Sequence, residues 1–540
     1  MTLDTEAPVP PRAGRREWIG LAVIALPCLL YAMDLTVLHL AVPRLSADLQ
    51  PTSAQLLWII DIYGFLVAGW LITMGTLGDR IGRRRLLLIG AAAFGAASVL
   101  AALSTSPEML IAARALLGVA GATLAPSTLS LIFNMFRDQR QRGLAIGVWA
   151  ASFSAGAAIG PLLGGILLEY FWWGSVFLLA VPVMLLLLAV GPRLLPEYRD
   201  PDAGRLDVAS AAISLAAVLA IIYGLKQTAQ DGLGWLPALS IAAGIALGGV
   251  FFRRQRTLQD PLIDLRLFRM RTFSASLATY ALGILVVFGT FVFIAQYLQL
   301  VLGLSPLRAG LWTLPASLAF VAGSMLGPAL VRRMRPAYVM AGGVALSAIG
   351  LAVVTQVQEG SGLALLVSGS VVMDLGVALM VPVATDLIVG SAPQERAGAA
   401  SGISETGAEF GGAVGIAVLG TIGTAVYRTE VADAVPPGIP PAAVEAARDT
   451  LGGALTVAEG LPQQAGAALA EAARTAFTQG LRLTAAIGAV LSIGLAILVA
   501  ALLRQLRASG SPAPSEGEAA EAADPGAATV LAVVEPGSST

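Results

Sequence analysis

Fourteen apolar runs, each long enough to cross a bilayer, constrain this chain more than any other feature. They fall at about 18–42, 56–77, 86–104, 108–134, 144–168, 174–195, 207–227, 234–252, 273–299, 306–331, 337–356, 362–388, 398–427 and 480–504. As a helix, about 20 residues span a hydrocarbon core about 30 Å thick. Lipid supplies no hydrogen bonds, so each spanning segment must satisfy its own backbone, and continuous rather than alternating apolar runs do so as helices. With 56% hydrophobic and 12% charged residues in 540, and a mean hydropathy of +0.80, the chain has more apolar surface than a water-soluble domain can bury. The fold class predicted is an all-α polytopic membrane protein.

The runs group as six, two and six. The expected organisation is an N-terminal tail over 1–17, a six-helix bundle over 18–195, two inserted helices with their loops over 196–272, and a second six-helix bundle over 273–504. The second bundle carries a long outer loop at 428–479, rich in Ala, Pro, Gly and Glu, with short helical stretches near 441–450 and 464–478. That loop reads either as a lid or as a variable connection. The Pro/Gly/Ser/Glu-rich tail over 505–540 is expected to be disordered. An even number of spans puts both termini on one side. Twenty-five of the 33 basic residues then fall in loops on that side, against seven opposite and Arg114 within a span, which assigns both termini to the cytoplasm. The first span is long and has no small-residue cleavage site before Asp34, so it reads as a retained helix.

Composition also excludes functions. A net charge of −1 gives no reason to expect nucleic acid as a partner. Cys28 and His39 each stand alone, so neither an internal disulfide nor a Cys/His metal site is expected, and no cofactor is called for. His39 reads as an ordinary residue near an outer helix end. No nucleophile elbow, phosphate loop or paired-aspartate motif appears, so an enzyme is not expected.

Acids inside the spans are the candidates for function, because a charge at bilayer depth is costly unless it is neutralised, paired or facing a cavity. Asp34 lies roughly 24 Å along the first helix, and Asp61 about 8 Å into the second from outside. Glu405 and Glu409 are spaced i, i+4, which puts both on one face of the thirteenth helix, about 10–17 Å from its cytoplasmic end. Asp374 is near the middle of the twelfth span. Asp386 is near that span's inner end, where an interfacial role would suffice. Tyr31, Tyr63, Trp149, Phe153, Phe291 and Tyr297 can present π faces to a flat or quaternary cation, with plain packing or lipid contact the alternative for each.

Between the second and third spans runs Gly75-Thr-Leu-Gly-Asp79-Arg80-Ile-Gly82-Arg83-Arg84-Arg85. The glycines allow close helix approach and a sharp turn, and Asp79 with the arginines makes a charged latch. Arginines alone would follow from topology. The full pattern resembles the signature loop of the major facilitator superfamily. Leu110-Ile-Ala-Ala-Arg114-Ala-Leu-Leu-Gly118-Val-Ala-Gly121 is similar to the family's fourth-helix motif, whose buried arginine is thought to assist proton movement. Gly156-Ala-Ala-Ile-Gly160-Pro161-Leu-Leu-Gly164-Gly165 is similar to its antiporter motif. Asp34-Leu-Thr36-Val-Leu-His-Leu-Ala41-Val-Pro43 and Gln299-Leu-Val-Leu-Gly303-Leu-Ser305-Pro306 resemble motifs of the fourteen-helix drug:proton antiporter branch.

The resemblance covers about 18–505. It implies two six-helix bundles around a central cavity, with the inserted pair between them, in a bacterial cytoplasmic membrane. It implies proton-driven export of lipophilic cationic drugs such as quaternary ammonium compounds, dyes and fluoroquinolones by alternating access, with lipid and small molecules as the only partners and a monomer as the expected state. Asp34 would be the main proton and substrate site, with Asp61, Glu405 and Glu409 matching the branch's acids in type and place. Arg114 would tune protonation, and Asp79 and Arg83 would gate. Some members carry an acid on the tenth helix, and Trp312–Val331 has none. The alternative is a dedicated exporter of one antibiotic or metabolite on the same scaffold.

Overall fold

The computed structural model describes residues 12–199 and 207–503, apart from 52, 232–233, 259–260, 359–361, 433–442, 445–446 and 449. The side chains of His39, Asp61 and Pro161 lie outside the described residues, as do most of both expected tails.

Fourteen helices have the length and hydropathy to cross a membrane, and no strand occurs among the described residues. The first six are α1 (Arg15–Leu49), α2 (Ser53–Ile81), α3 (Arg83–Ala102), α4 (Pro107–Met135), α5 (Gln139–Tyr170) and α6 (Ser175–Leu194). The inserted pair is α7 (Val208–Asp231) and α8 (Trp235–Gln255). The last six are α9 (Arg271–Gln296), α10 (Pro306–Val331), α11 (Pro336–Val354), α12 (Leu363–Gly390), α13 (Ala397–Ala432) and α14 (Gln463–Leu503).

Local chemistry sets several ends. Ser106 caps α4 by accepting from Met109 N, with Pro107 at the first helical position, where its missing N–H costs nothing. Asp138 caps α5 through Gln141 N at 2.9 Å, and Ser305 caps α10 ahead of Pro306. α4 breaks between Gly121 and Leu124, where Pro126 offers no N–H to the Ala122 carbonyl and the Thr123 hydroxyl bonds Ala120 O at 2.7 Å instead. α9 ends in a π-turn over Tyr297–Val301, followed by Gly303 at φ 65°. The outer loop differs from its expected bounds. The Ala-rich stretch from Gln463 continues directly into the last span, and a separate helix occupies Leu451–Glu459, capped by Thr450.

Within the first bundle α1 packs along α5, α4 against α2 and α3, and α6 against α3; within the second, α9 packs on α13 and α12 on both α10 and α11. With no hydrophobic drive between helices in lipid, close approach depends on small residues. Gly156 lies against the Leu29 backbone, so α1 and α5 touch where any side chain would intrude. α7 and α8 pack on each other, and α7 lies across the seam between α2 and α13, where Val218 and Ile222 bury Phe65 and Ala68 beside Phe410.

The described hydrogen bonds and ion pairs between the two bundles concentrate at the arginine-rich end. Asp79 at the end of α2 accepts from the first amides of α13, Gly398 N at 3.1 Å and Ala399 N at 2.9 Å. Those amides are unpaired within a helix and carry its partial positive charge, so a carboxylate suits them. Arg83, fully buried, donates to Asp79 Oδ1 at 2.9 Å and to Gln394 O at 2.7 Å. Arg142 of α5 pairs with Asp386 of α12 at 2.8 Å, a further link between the bundles. Gln394 donates to Asn134 Oδ1 at 2.8 Å. Glycines permit the approach: Gly75 faces Gly398, and Gly143 and Gly147 face Pro328 and Ser324. In this conformation the arginine-rich end is closed.

Candidate substrate and proton site

α1, α4 and α2 converge on Asp34. Arg114, 1% exposed, donates to Asp34 Oδ2 at 2.5 Å, to Ile59 O at 3.1 Å and to Ile60 O at 3.5 Å. Its guanidinium also lies 4.7 Å above the Tyr63 ring and 6.0 Å from that of Phe177. A buried arginine is tolerable only with its donors satisfied, and the carbonyls of α2 complete what Asp34 begins. Asp34 also borders a cavity of about 20 Å³ between α1, α3 and α6, lined by Leu30, Met33, Phe94 and Phe177, which has room for about one water.

A second acidic centre sits on α13, facing α1. Glu409 accepts from the Tyr31 hydroxyl at 3.1 Å, a bond between the bundles. One turn away, Oε1 of Glu405 is buried with no hydrogen-bond partner among the described residues. Tyr31 on α1 and Tyr280 on α9 both lie within electrostatic reach of Glu405 and Glu409. An unpaired buried carboxylate is costly unless it holds a proton or a cation. The Tyr63 hydroxyl is likewise buried without a hydrogen-bond partner among the described residues.

The aromatic candidates divide. Tyr31, Tyr63, Phe153 and Trp149 form one cluster, with centroids 6.0 Å apart for Tyr31–Tyr63, 5.8 Å for Tyr31–Phe153 and 4.8 Å for Trp149–Phe153. Trp149 is fixed by its indole N–H on Thr128 Oγ1 at 3.0 Å, and Thr128 lies 3.5 Å from Cys28 Sγ. Tyr297 belongs elsewhere. It is buried in the outer core of the second bundle, its hydroxyl on Gln358 O at 2.8 Å. Phe291 is 50% exposed on α9 and joins none of the described ring contacts.

The remaining sequence candidates are placed as follows. Asp374 is half-buried on α12, with no hydrogen bond or ion pair described for it. Asp61 is helical in α2, and its side chain lies outside the described residues. Gly156 and Gly164 face α1, at Leu29 and Val37, Gly160 is buried, and Gly165 faces open space. Pro161, between them, is within α5. Gly82 turns at φ 109°, a conformation that favours glycine, which lets α3 begin at Arg83 directly after α2. Arg80 is half-buried at the end of α2. Arg84 donates to Pro192 O and Leu195 O, at 3.1 and 3.0 Å, and faces Glu197 at 3.5 Å.

Several partners were not singled out in the sequence. Tyr198, whose ring lies 5.2 Å from the Arg83 guanidinium, and Glu197 come from the linker before α7. Asn134 and Gln394 carry no motif. A buried-arginine count would have demanded acceptors for Arg83, but nothing local identifies a linker tyrosine.

A helical bundle pair closed at one end, with acids and aromatics on facing helices at mid-depth, defines a membrane carrier. The chain belongs to the Major Facilitator Superfamily, whose model matches residues 24–416. It is 45% identical to the multidrug efflux pump LfrA of Mycolicibacterium smegmatis, across 92% of this chain and 98% of that protein. It is 37% identical to the methyl viologen resistance protein SmvA of Salmonella typhimurium, across 86% and 93%. Among solved structures, the human organic anion transporter MFSD10 (TETRAN) aligns over 90% of this chain and 99% of its own, at a TM-score of 0.58 and 17% identity, a likeness of fold. The protein is thus a multi-span transporter of the efflux type.

Proposed function

We propose that this protein exports lipophilic cations from the cytoplasm in exchange for protons, as a monomer in a bacterial cytoplasmic membrane with both termini inside. The observation that supports the reading is Oε1 of Glu405, buried with no hydrogen-bond partner among the described residues, beside Glu409 and within electrostatic reach of Tyr31 and Tyr280. A site of this kind is stable with a proton or with a cation, so the two ligands compete for it and one site serves both in turn. Tyr31, Phe153 and Trp149 offer ring faces to a flat or quaternary cation.

Asp34 takes a different part. Held by Arg114, it is the group whose protonation frees the arginine and loosens α1 from α4. Proton arrival is thereby linked to rearrangement of the first bundle, while cargo is held from the second. Asp79 and Arg83 keep the cytoplasmic end closed meanwhile. Asp61 and Asp374 are further acids available to protons or cargo.

Energetics restrict the exchange. One charge crossing 100 mV carries about 2.3 kcal/mol. A monovalent cation leaving for one proton moves no net charge and is driven by the pH gradient alone, roughly 1.4 kcal/mol per unit. A dication leaving for one proton would work against the membrane potential, so dications require at least two protons.

Inhibitory concentrations in a pump-deficient host test the substrate range. The reading expects the protein to raise them for several unrelated cations, such as ethidium, methyl viologen and a quaternary ammonium compound, and an uncoupler to remove the protection. Protection against a single compound would instead indicate a dedicated exporter.

A further inference from the structure

We propose that the turn joining α8 to α9 is a binding surface for anionic phospholipid headgroups, and that this contact steadies the closed arginine-rich end. Arg253, Arg256, Arg266, Arg269 and Arg271 are all exposed here, and no ion pair is described for any of them. The nearest described acids are already engaged, Asp207 by Arg254 at 2.8 Å and Asp264 by Arg396 at 2.9 Å. Among the described residues of this turn and of the start of α7, both acids are thus taken up by other arginines.

Packing brings together the segments that carry these arginines. Phe268, in the short 3-10 turn Leu267–Arg269, sets its ring against Phe252 of α8 at 6.4 Å and Phe273 of α9 at 5.2 Å. The contacts join the end of α8, which carries Arg253 and Arg256, to the turn and the start of α9, which carry Arg266, Arg269 and Arg271. Phe252 and Met270 are both 44% exposed beside them. Because α8 and α9 are membrane spans, the turn between them lies at the boundary between hydrocarbon and water. Exposed apolar groups next to guanidiniums at that depth suit acyl chains below and phosphates above. Arginine suits phosphate through its planar fork of donors.

The same segment is wired to the gate. Gln255 accepts from Leu262 N at 2.7 Å, and the Leu262 carbonyl accepts from Thr76 of α2 at 3.1 Å. Asp264 holds Arg396, immediately before α13, whose first amides hold Asp79. Lipid that fixes the turn thus fixes the α2–α13 contact.

The test uses the full-length protein in vesicles of phosphatidylcholine with or without phosphatidylglycerol. A photoactivatable phosphatidylglycerol is expected to crosslink within 250–271. The fraction of molecules closed at the arginine-rich end, read by a distance label between α2 and α13, is expected to rise at least threefold with the anionic lipid. Replacing all five arginines by glutamine should abolish both responses. The corresponding lysine variant, which preserves charge and topology, should retain most of the response, as should R332Q/R333Q on another loop. Crosslinks elsewhere, equal crosslinking by a phosphatidylcholine probe, or a closed fraction indifferent to lipid would overturn the proposal. None of these readouts depends on transport, so the proposed activity can fail while this stands.

Discussion

Tyr31 on α1 donates to Glu409 on α13 across a 3.1 Å gap, joining the two bundles at mid-depth in the conformation closed at the arginine-rich end. Any exchange of access must part these residues or carry them together. A hydrogen bond to a charged group contributes about 1.5–3 kcal/mol, which corresponds to roughly a tenfold or greater change in the balance between two states.

Tyr31→Phe keeps the ring and removes the donor. The population closed at the arginine-rich end should fall about tenfold, measured by single-molecule distance between labels on α2 and α13, while ring-mediated cation binding changes by less than about threefold. An unchanged population would show that the bond is incidental to the state.

At the closed end, Gly398→Ala places a methyl group within 2.7 Å of the Gly75 carbonyl and against Asp79. Neither backbone can yield without opening the contact between α2 and α13. Transport should fall at least tenfold in protein that still purifies as a single species, and a cysteine in place of Ala399, which is buried at this contact, should become accessible to a polar thiol reagent. Cys28 is buried and leaves that background quiet.

Arg114 serves Asp34 and two α2 carbonyls at once. Lysine carries the charge without the fork, so Arg114→Lys should fold but lose most transport. Arg114→Gln leaves the Asp34 charge unpaired and should cost about 3–5 kcal/mol of stability, in part recovered by adding Asp34→Asn. Thermal unfolding of the single and double variants measures the recovery.

Outside the spans, Asp207 is held well below the usual carboxylate range by hydrogen bonds from Arg254 and Ser210. A lowered folded value means that its stabilisation is complete above the unfolded value, about pH 3.9, and is lost as pH falls below that. The pair is partly exposed, so Asp207→Asn should lower the melting temperature by only about 1–3 °C at pH 7. That difference should hold down to about pH 4 and shrink below it.

Long apolar runs made the helices legible, because spanning a bilayer leaves little choice of structure. Arg114 and Asp34 were both readable as buried charges, each in need of a partner. That they satisfy each other was a matter of packing between α1 and α4. The i, i+4 spacing of Glu405 and Glu409 gave their shared face, but not the Tyr31 bond from the other bundle. Tyr297 shows the reverse case: the sequence placed it near a helix end, and only the packing of the second bundle decides that its ring is buried there, with its hydroxyl on Gln358 O. The helical stretch near 464–478 was legible, but its continuity with the last span was not, because an Ala-rich stretch of low hydropathy does not read as part of a membrane helix.

The measurement that bears most directly on the central claim is ethidium movement in proteoliposomes under an imposed pH gradient, for the intact protein, Asp34→Asn and Glu405→Gln. The account predicts gradient-driven transport by the intact protein and at least a tenfold loss in each variant. Binding of ethidium should persist in Asp34→Asn and weaken in Glu405→Gln. Gradient-driven transport that survives both substitutions undiminished would contradict it.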